Sequence, residues 1–69
     1  MTGRTVDARG LRCPLPVLKL ARAMRLDPGA MTFELVSDDP GTGAELAAWA
    51  HATGHAITSE GDCFVVIRN

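Results

Sequence analysis

A two-layer α/β sandwich with the element order β-α-β-α-β-β is the fold class that this 69-residue sequence predicts, on three observations. Two stretches repeat apolar residues at helical spacing, each on one side only. Four short stretches alternate apolar and polar residues or are rich in branched ones, as strands are. Turn signals, among them Asp27-Pro28-Gly29 and Asp38-Asp39-Pro40, separate these stretches. Helices with one apolar stripe each must bury it against a sheet, which gives two layers.

Thr5-Val6-Asp7 alternates in character and ends at a glycine-containing turn, so it reads as a short first strand running toward the loop that follows. Proline suits the first helical position, where an N–H would lack a partner, so Pro14 or Pro16 marks the first helix start. Up to Arg25 the residues Val17, Leu18, Leu20, Ala21 and Met24 form its apolar stripe, with Lys19, Arg22 and Arg25 on or bordering the other face. Met31 through Ser37 reads as the second strand, with Phe33 and Leu35 on one face and Thr32, Glu34 and Val36 on the other. Asp38-Asp39-Pro40 then signals a helix start, its carboxylates expected to cap exposed N–H groups. The second helix sets Leu46, Trp49, Ala50 and Thr53 on one stripe, with Trp49 in the core, and closes at Gly54. Gly41 and Gly43 in its first turn predict an irregular start. Ala56 to Glu60 and Cys63 to Arg68, joined around Gly61-Asp62, read as a β-hairpin.

This length suits one domain with a thin core. Hydrophobic residues make up 46% and charged residues 22%, a globular composition, and no run approaches the roughly 18 apolar residues of a membrane span. The N-terminal residues Met1 to Asp7 lack the long apolar region of a signal peptide, so a soluble, cytoplasmic protein with reduced thiols is expected. The net charge of −1 hides an asymmetry: about +5 over the first 25 residues and about −6 over the rest. A basic first third would favour a thiolate and steer an acidic partner.

Cys13 lies in that basic third, between Arg9 and Arg12 on one side and Pro14 and Pro16 on the other, at the mouth of the first helix. The thiolate is the reactive form, and a helix N-terminus or nearby cations lower a thiol pKa below its ordinary value of about 8.5. The prolines lack N–H groups that would otherwise bond the sulfur. These features favour an exposed, stiff and reactive cysteine over a buried structural one, and with a lowered pKa no dedicated base in this chain is needed. Candidates are few: Asp7 ends a strand, and both histidines lie beyond residue 50. Cys63, without an adjacent cation or helix start, reads as structural. Two isolated cysteines with His51 and His55, separated by the helix-ending Gly54, do not make a metal site. No C-x-x-C pair is present, which leaves a Cys13–Cys63 disulfide switch if the two lie close. The few aromatic residues fit core positions, so direct nucleic-acid binding is not expected.

The stretch Asp7-Ala-Arg-Gly-Leu-Arg-Cys-Pro-Leu-Pro16, followed by Asp38-Asp39-Pro40 and Gly54-His55, resembles the TusA-like (SirA-like) sulfur-carrier family, over nearly the whole chain. The resemblance implies a four-stranded mixed sheet with both helices on one face. It also implies a covalent carrier rather than a stand-alone enzyme, with Cys13 holding a sulfane sulfur as a persulfide and no other cofactor. A donor protein, a cysteine desulfurase or rhodanese, would load the sulfur, and an acceptor protein would take it toward tRNA thiolation, molybdenum-cofactor supply or sulfur oxidation. Arg9, Gly10, Arg12, Pro14 and Pro16 would support the site, and a monomer is expected. Leu15 stands where several members carry glutamate, and Thr42-Gly43 replaces more helix-favouring residues; both departures bear on partner choice rather than on the sulfur-bearing residues. The rival reading is a non-catalytic regulatory interaction module or a thiol redox switch.

Overall fold

In the computed structural model, which describes residues 3–61 and 63–68, the chain forms β1 (Gly3–Asp7), α1 (Leu15–Leu26), β2 (Thr32–Val36), α2 (Thr42–Thr53), β3 (Ala56–Glu60) and β4 (Cys63–Ile67). Asp62, expected in the hairpin turn, and Met1 and Thr2 of the N-terminal stretch lie outside the described residues. The strands form one mixed sheet in the order β1-β2-β4-β3, with β1 parallel to β2 and the other two pairings antiparallel. This is the predicted element order.

Side chains alternate across the sheet as the period of a strand requires. Val6, Phe33, Leu35 and Val66 are buried on the face that carries the helices, while Thr5, Glu34 and Ile67 are exposed on the other. Val17, Leu20 and Met24 of α1 and Leu46 and Ala50 of α2 close the core. The stripe is narrower than the sequence suggests. Leu18 is 57% exposed, because the residues at positions 17, 20 and 24 already fill the contact with the sheet and position 18 is turned away from it. On α2, Thr53 is exposed and donates its hydroxyl to the Trp49 carbonyl (2.8 Å). Trp49 is half-buried at the edge of the core and meets His55 at a tilt of 45°, ring centroids 5.3 Å apart. Gly41 falls at the α2 N-cap position rather than inside the helix, and Gly43 packs against the Phe64 ring, where a Cβ would stand 3.6 Å from it. Gly54 closes α2 with φ 82°, a conformation that glycine adopts without a Cβ clash. Among the described residues, no helix is long and apolar enough to cross a membrane.

Arg68, just past β4, ties the sheet to the end of α1. Its Nη2 donates to the Met24 (2.9 Å) and Asp27 (3.1 Å) carbonyls and its Nε to the Ala30 carbonyl (2.9 Å), with the guanidinium 5.5 Å from the Phe33 ring centroid. Terminal helix carbonyls need such partners, and a cation suits that end of the helix. Replacing Arg68 by alanine is expected to cost about 1–3 kcal/mol of folding stability, read by urea denaturation as a lower midpoint with little change in slope.

Candidate functional site

Parallel pairing places Asp7 beside Val36, the last residues of β1 and β2, and the Ala8 N–H extends the ladder to the Val36 carbonyl (2.8 Å). Residues 8–14 and 37–41 therefore leave the sheet side by side, at the carboxyl ends of parallel strands where α/β sheets characteristically place their sites.

The first loop makes two turns. Leu11 N–H donates to the Ala8 carbonyl (3.1 Å) across Gly10, whose φ of 85° calls for glycine. Leu15 N–H donates to the Arg12 carbonyl (2.7 Å), with Cys13 and Pro14 between them joined by a cis peptide bond. Pro14 caps α1 and Pro16 is buried in its first turn, so Cys13 stands exposed just before the helix.

The second loop grips the first. Asp38 Oδ1 accepts the Gly10 N–H (3.0 Å), and Asp39 Oδ2 accepts the Cys13 N–H. Asp39 is itself held: its N–H donates to Ser37 Oγ (3.2 Å), and that hydroxyl is bonded to Thr42 Oγ1 (2.7 Å) in a buried pair. The expectation that these acids cap α2 is corrected here. Asp39 Oδ1 accepts the Gly41 N–H (3.3 Å), but α2 begins without a side-chain cap, since the carboxylates face the amides of the neighbouring loop.

The sulfur has acidic surroundings. Cys13 Sγ lies 3.6 Å from Glu45 Oε1, a carboxylate in the first turn of α2. The Cys13 thiol is pushed above its ordinary value, by loss of hydration first, then by the charge and hydrogen bond of Glu45, then by the charge of Asp39. The sequence predicts the opposite shift, from cations near in the chain. In the fold, Arg9 turns to Asp7: its Nε and Nη2 bond the two carboxylate oxygens (3.1 and 3.0 Å) and its N–H bonds Oδ1 (3.1 Å). This holds the Asp7 carboxyl down to about 2, the Arg9 side-chain hydrogen bonds being the largest cause. Lys19 Nζ donates to the Asp7 carbonyl, Arg4 pairs with Asp27 (3.0 Å), and Arg12 makes no ion pair among the described residues. Arg9, Lys19 and Arg4 are thus turned to partners other than the sulfur.

Glu45 is the site residue that the sequence reading missed. Its signal was indirect: a β-α-β-α order with the first two strands parallel brings both helix N-termini to one end, so an acid in the first turn of α2 faces the mouth of α1. Cys63 stands apart from this group. Its sulfur donates to Glu34 Oε2 (2.7 Å) on the uncovered face of the sheet, and both cysteines are thiols. His51 is exposed within α2.

Known proteins match this chain along most of its length. The family described as "Sulfurtransferase TusA" matches residues 4–68. The chain is 40% identical over 50 residues to "Putative sulfur carrier protein YrkF" of Bacillus subtilis, covering 72% of this chain and 27% of that protein. It is 34% identical over 62 residues to "Putative sulfur carrier protein YrkI" of the same organism, covering 86% and 83%. A protein of Aquifex aeolicus described as a sulfur carrier in the same terms is 35% identical over 54 residues, 78% of this chain and 27% of that one. The chain spans about a quarter of two of these relatives and most of the third.

The electrostatics give two measurable outcomes. Alkylation of Cys13 in a Cys63→Ser background should show a midpoint above that of the same chain unfolded. The Asp7 carboxyl should titrate near 2 by NMR. An unfolded aspartate titrates at about 3.9, so the Arg9–Asp7 contact stabilises the fold above that pH and loses its effect as pH falls toward 2.

Proposed function

We propose, from the premise that the chain belongs to the TusA sulfurtransferase family, that it carries a sulfane sulfur as a persulfide on Cys13 and relays it from a donor protein to an acceptor protein. The observation that supports this reading most is the exposed Cys13 sulfur on a loop clamped by Asp38 and Asp39. A carrier must offer one sulfur to two different active sites in turn, so the atom needs both exposure and a fixed position.

Loading exchanges one S–S bond for another. Cys13 attacks the outer sulfur of a donor persulfide, the donor cysteine leaves, and the reverse geometry delivers the sulfur to the acceptor thiol. No electrons are gained or lost overall, which suits a chain whose site residues are one thiol and backbone-gripping carboxylates. Gly10 and Pro14 shape the loop, Pro16 anchors α1 behind it, and Arg9 fixes the end of β1 through Asp7. Beside the cysteine, α1 exposes Leu15 and Leu18 next to Lys19 and Arg22, and together with Arg12 they form an apolar centre with a basic rim, a composition suited to a protein partner carrying acidic groups. A cysteine desulfurase or rhodanese fits the donor role, and tRNA thiolation, molybdenum-cofactor supply and sulfur oxidation are the candidate destinations.

Intact mass after incubation with a cysteine desulfurase and cysteine tests the reading. Wild type and Cys63→Ser should gain the mass of one sulfur atom, removable by reductant, and Cys13→Ser should gain none. Loading that survives the loss of Cys13, or a wild type that takes up nothing, would contradict it.

A further inference from the structure

We infer that Glu45 is a catalytic residue for this sulfur exchange, the group that takes the Cys13 thiol proton as the sulfur attacks and returns it to the departing thiolate. The inference rests on the persulfide reading above and adds to it the proton, which a thiol-to-persulfide exchange must place somewhere.

The geometry carries it. Glu45 Oε1 is in hydrogen-bond contact with Cys13 Sγ, at 3.6 Å, and it belongs to a different element, the first turn of α2. The Cys13 main chain is held separately by Asp39, so the sulfur and the carboxylate are each anchored through their own backbone. The charged groups that act on the sulfur are Glu45 of α2 and Asp39 of the loop before α2, while Arg9 is bonded to Asp7 and Arg12 is exposed. The anions keep the sulfur protonated at rest, consistent with the raised thiol pKa. A resting thiol is protected from oxidation, which proceeds through the thiolate. It becomes a nucleophile only when its proton is taken, and a carboxylate already hydrogen-bonded to it meets the geometric condition for a general base.

The step balances. As the Cys13 Sγ–S bond forms, the S–S bond of the donor persulfide breaks and its electron pair leaves on the donor cysteine. The proton passes from Cys13 to Glu45 and then to that leaving thiolate. Cys13 thiol and donor persulfide give Cys13 persulfide and donor thiol, with no oxidant or reductant consumed.

A plain electrostatic role would produce the opposite sign in one of two measurements. Removing the charge with Glu45→Gln raises the thiolate fraction, so alkylation of Cys13 by iodoacetamide at neutral pH should become faster. Sulfur uptake from glutathione persulfide, followed by mass in the Cys63→Ser background, should become slower by about 100-fold if Glu45 moves the proton. Glu45→Asp, which keeps the carboxylate, should take up sulfur faster than Glu45→Gln. Faster alkylation with slower uptake supports the assignment. If both reactions speed up, Glu45 acts only by its charge; if uptake is unchanged, or equal in the Asp and Gln variants, it moves no proton; if both slow down, it acts through structure. Each of these overturns the assignment while wild-type loading leaves the persulfide reading standing. A wild-type chain that takes up no sulfur overturns that reading and the assignment together.

Discussion

Because β1 runs parallel to β2, the chain leaves both strands at the same end of the sheet, and the loop bearing Cys13 is forced against the loop bearing Asp38 and Asp39. An antiparallel pairing would send the two loops to opposite ends. With the loops adjacent, Asp38 and Asp39 accept the Gly10 and Cys13 N–H groups, and hydrogen bonds to ionised acceptors are the stronger kind. The buried Ser37–Thr42 hydroxyl pair then fixes the turn from which those carboxylates project. A residue near the surface of a small, thin-cored fold thus gains a defined position from groups more than twenty residues away.

The same constraint sets the chemistry of the sulfur. Both helix N-termini meet at this end, so the acids that open α2 surround the cysteine that precedes α1. The arginines that flank Cys13 in the chain serve other ends: Arg9 completes the end of β1 through Asp7, and Arg12 leaves its charge to solvent. The proposed relay role calls for a sulfur that is exposed yet protonated between encounters; the loop exposes Cys13, and the acids beside it favour the thiol.

Local patterning was legible in the sequence, and long-range pairing was not. Phe33 and Leu35 alternate with Thr32 and Glu34 in a way that only a half-buried strand explains, and Gly54 ends α2 where a left-handed residue is needed. Cys13 lies just before α1 as the prolines indicate. Leu18 was misplaced because an apolar pattern does not tell how wide a stripe the sheet will cover. Asp38 and Asp39 were misjudged, and Glu45 was passed over, for a different reason. Their targets lie 28, 26 and 32 residues away, and an acid before or inside a helix reads as a cap or surface charge until its neighbour in space is known. The thiol's shift was assigned the wrong sign through the same omission.

Native-state hydrogen exchange at the Gly10 and Cys13 amides tests the central claim most directly, namely that the loop is clamped by the neighbouring carboxylates. In an exposed loop, both amides should exchange far more slowly than unstructured peptide, Gly10 losing protection in Asp38→Ala and Cys13 in Asp39→Ala, with core amides such as Leu35 unaffected. Exchange of both amides at free-peptide rates in the wild-type chain would contradict the account.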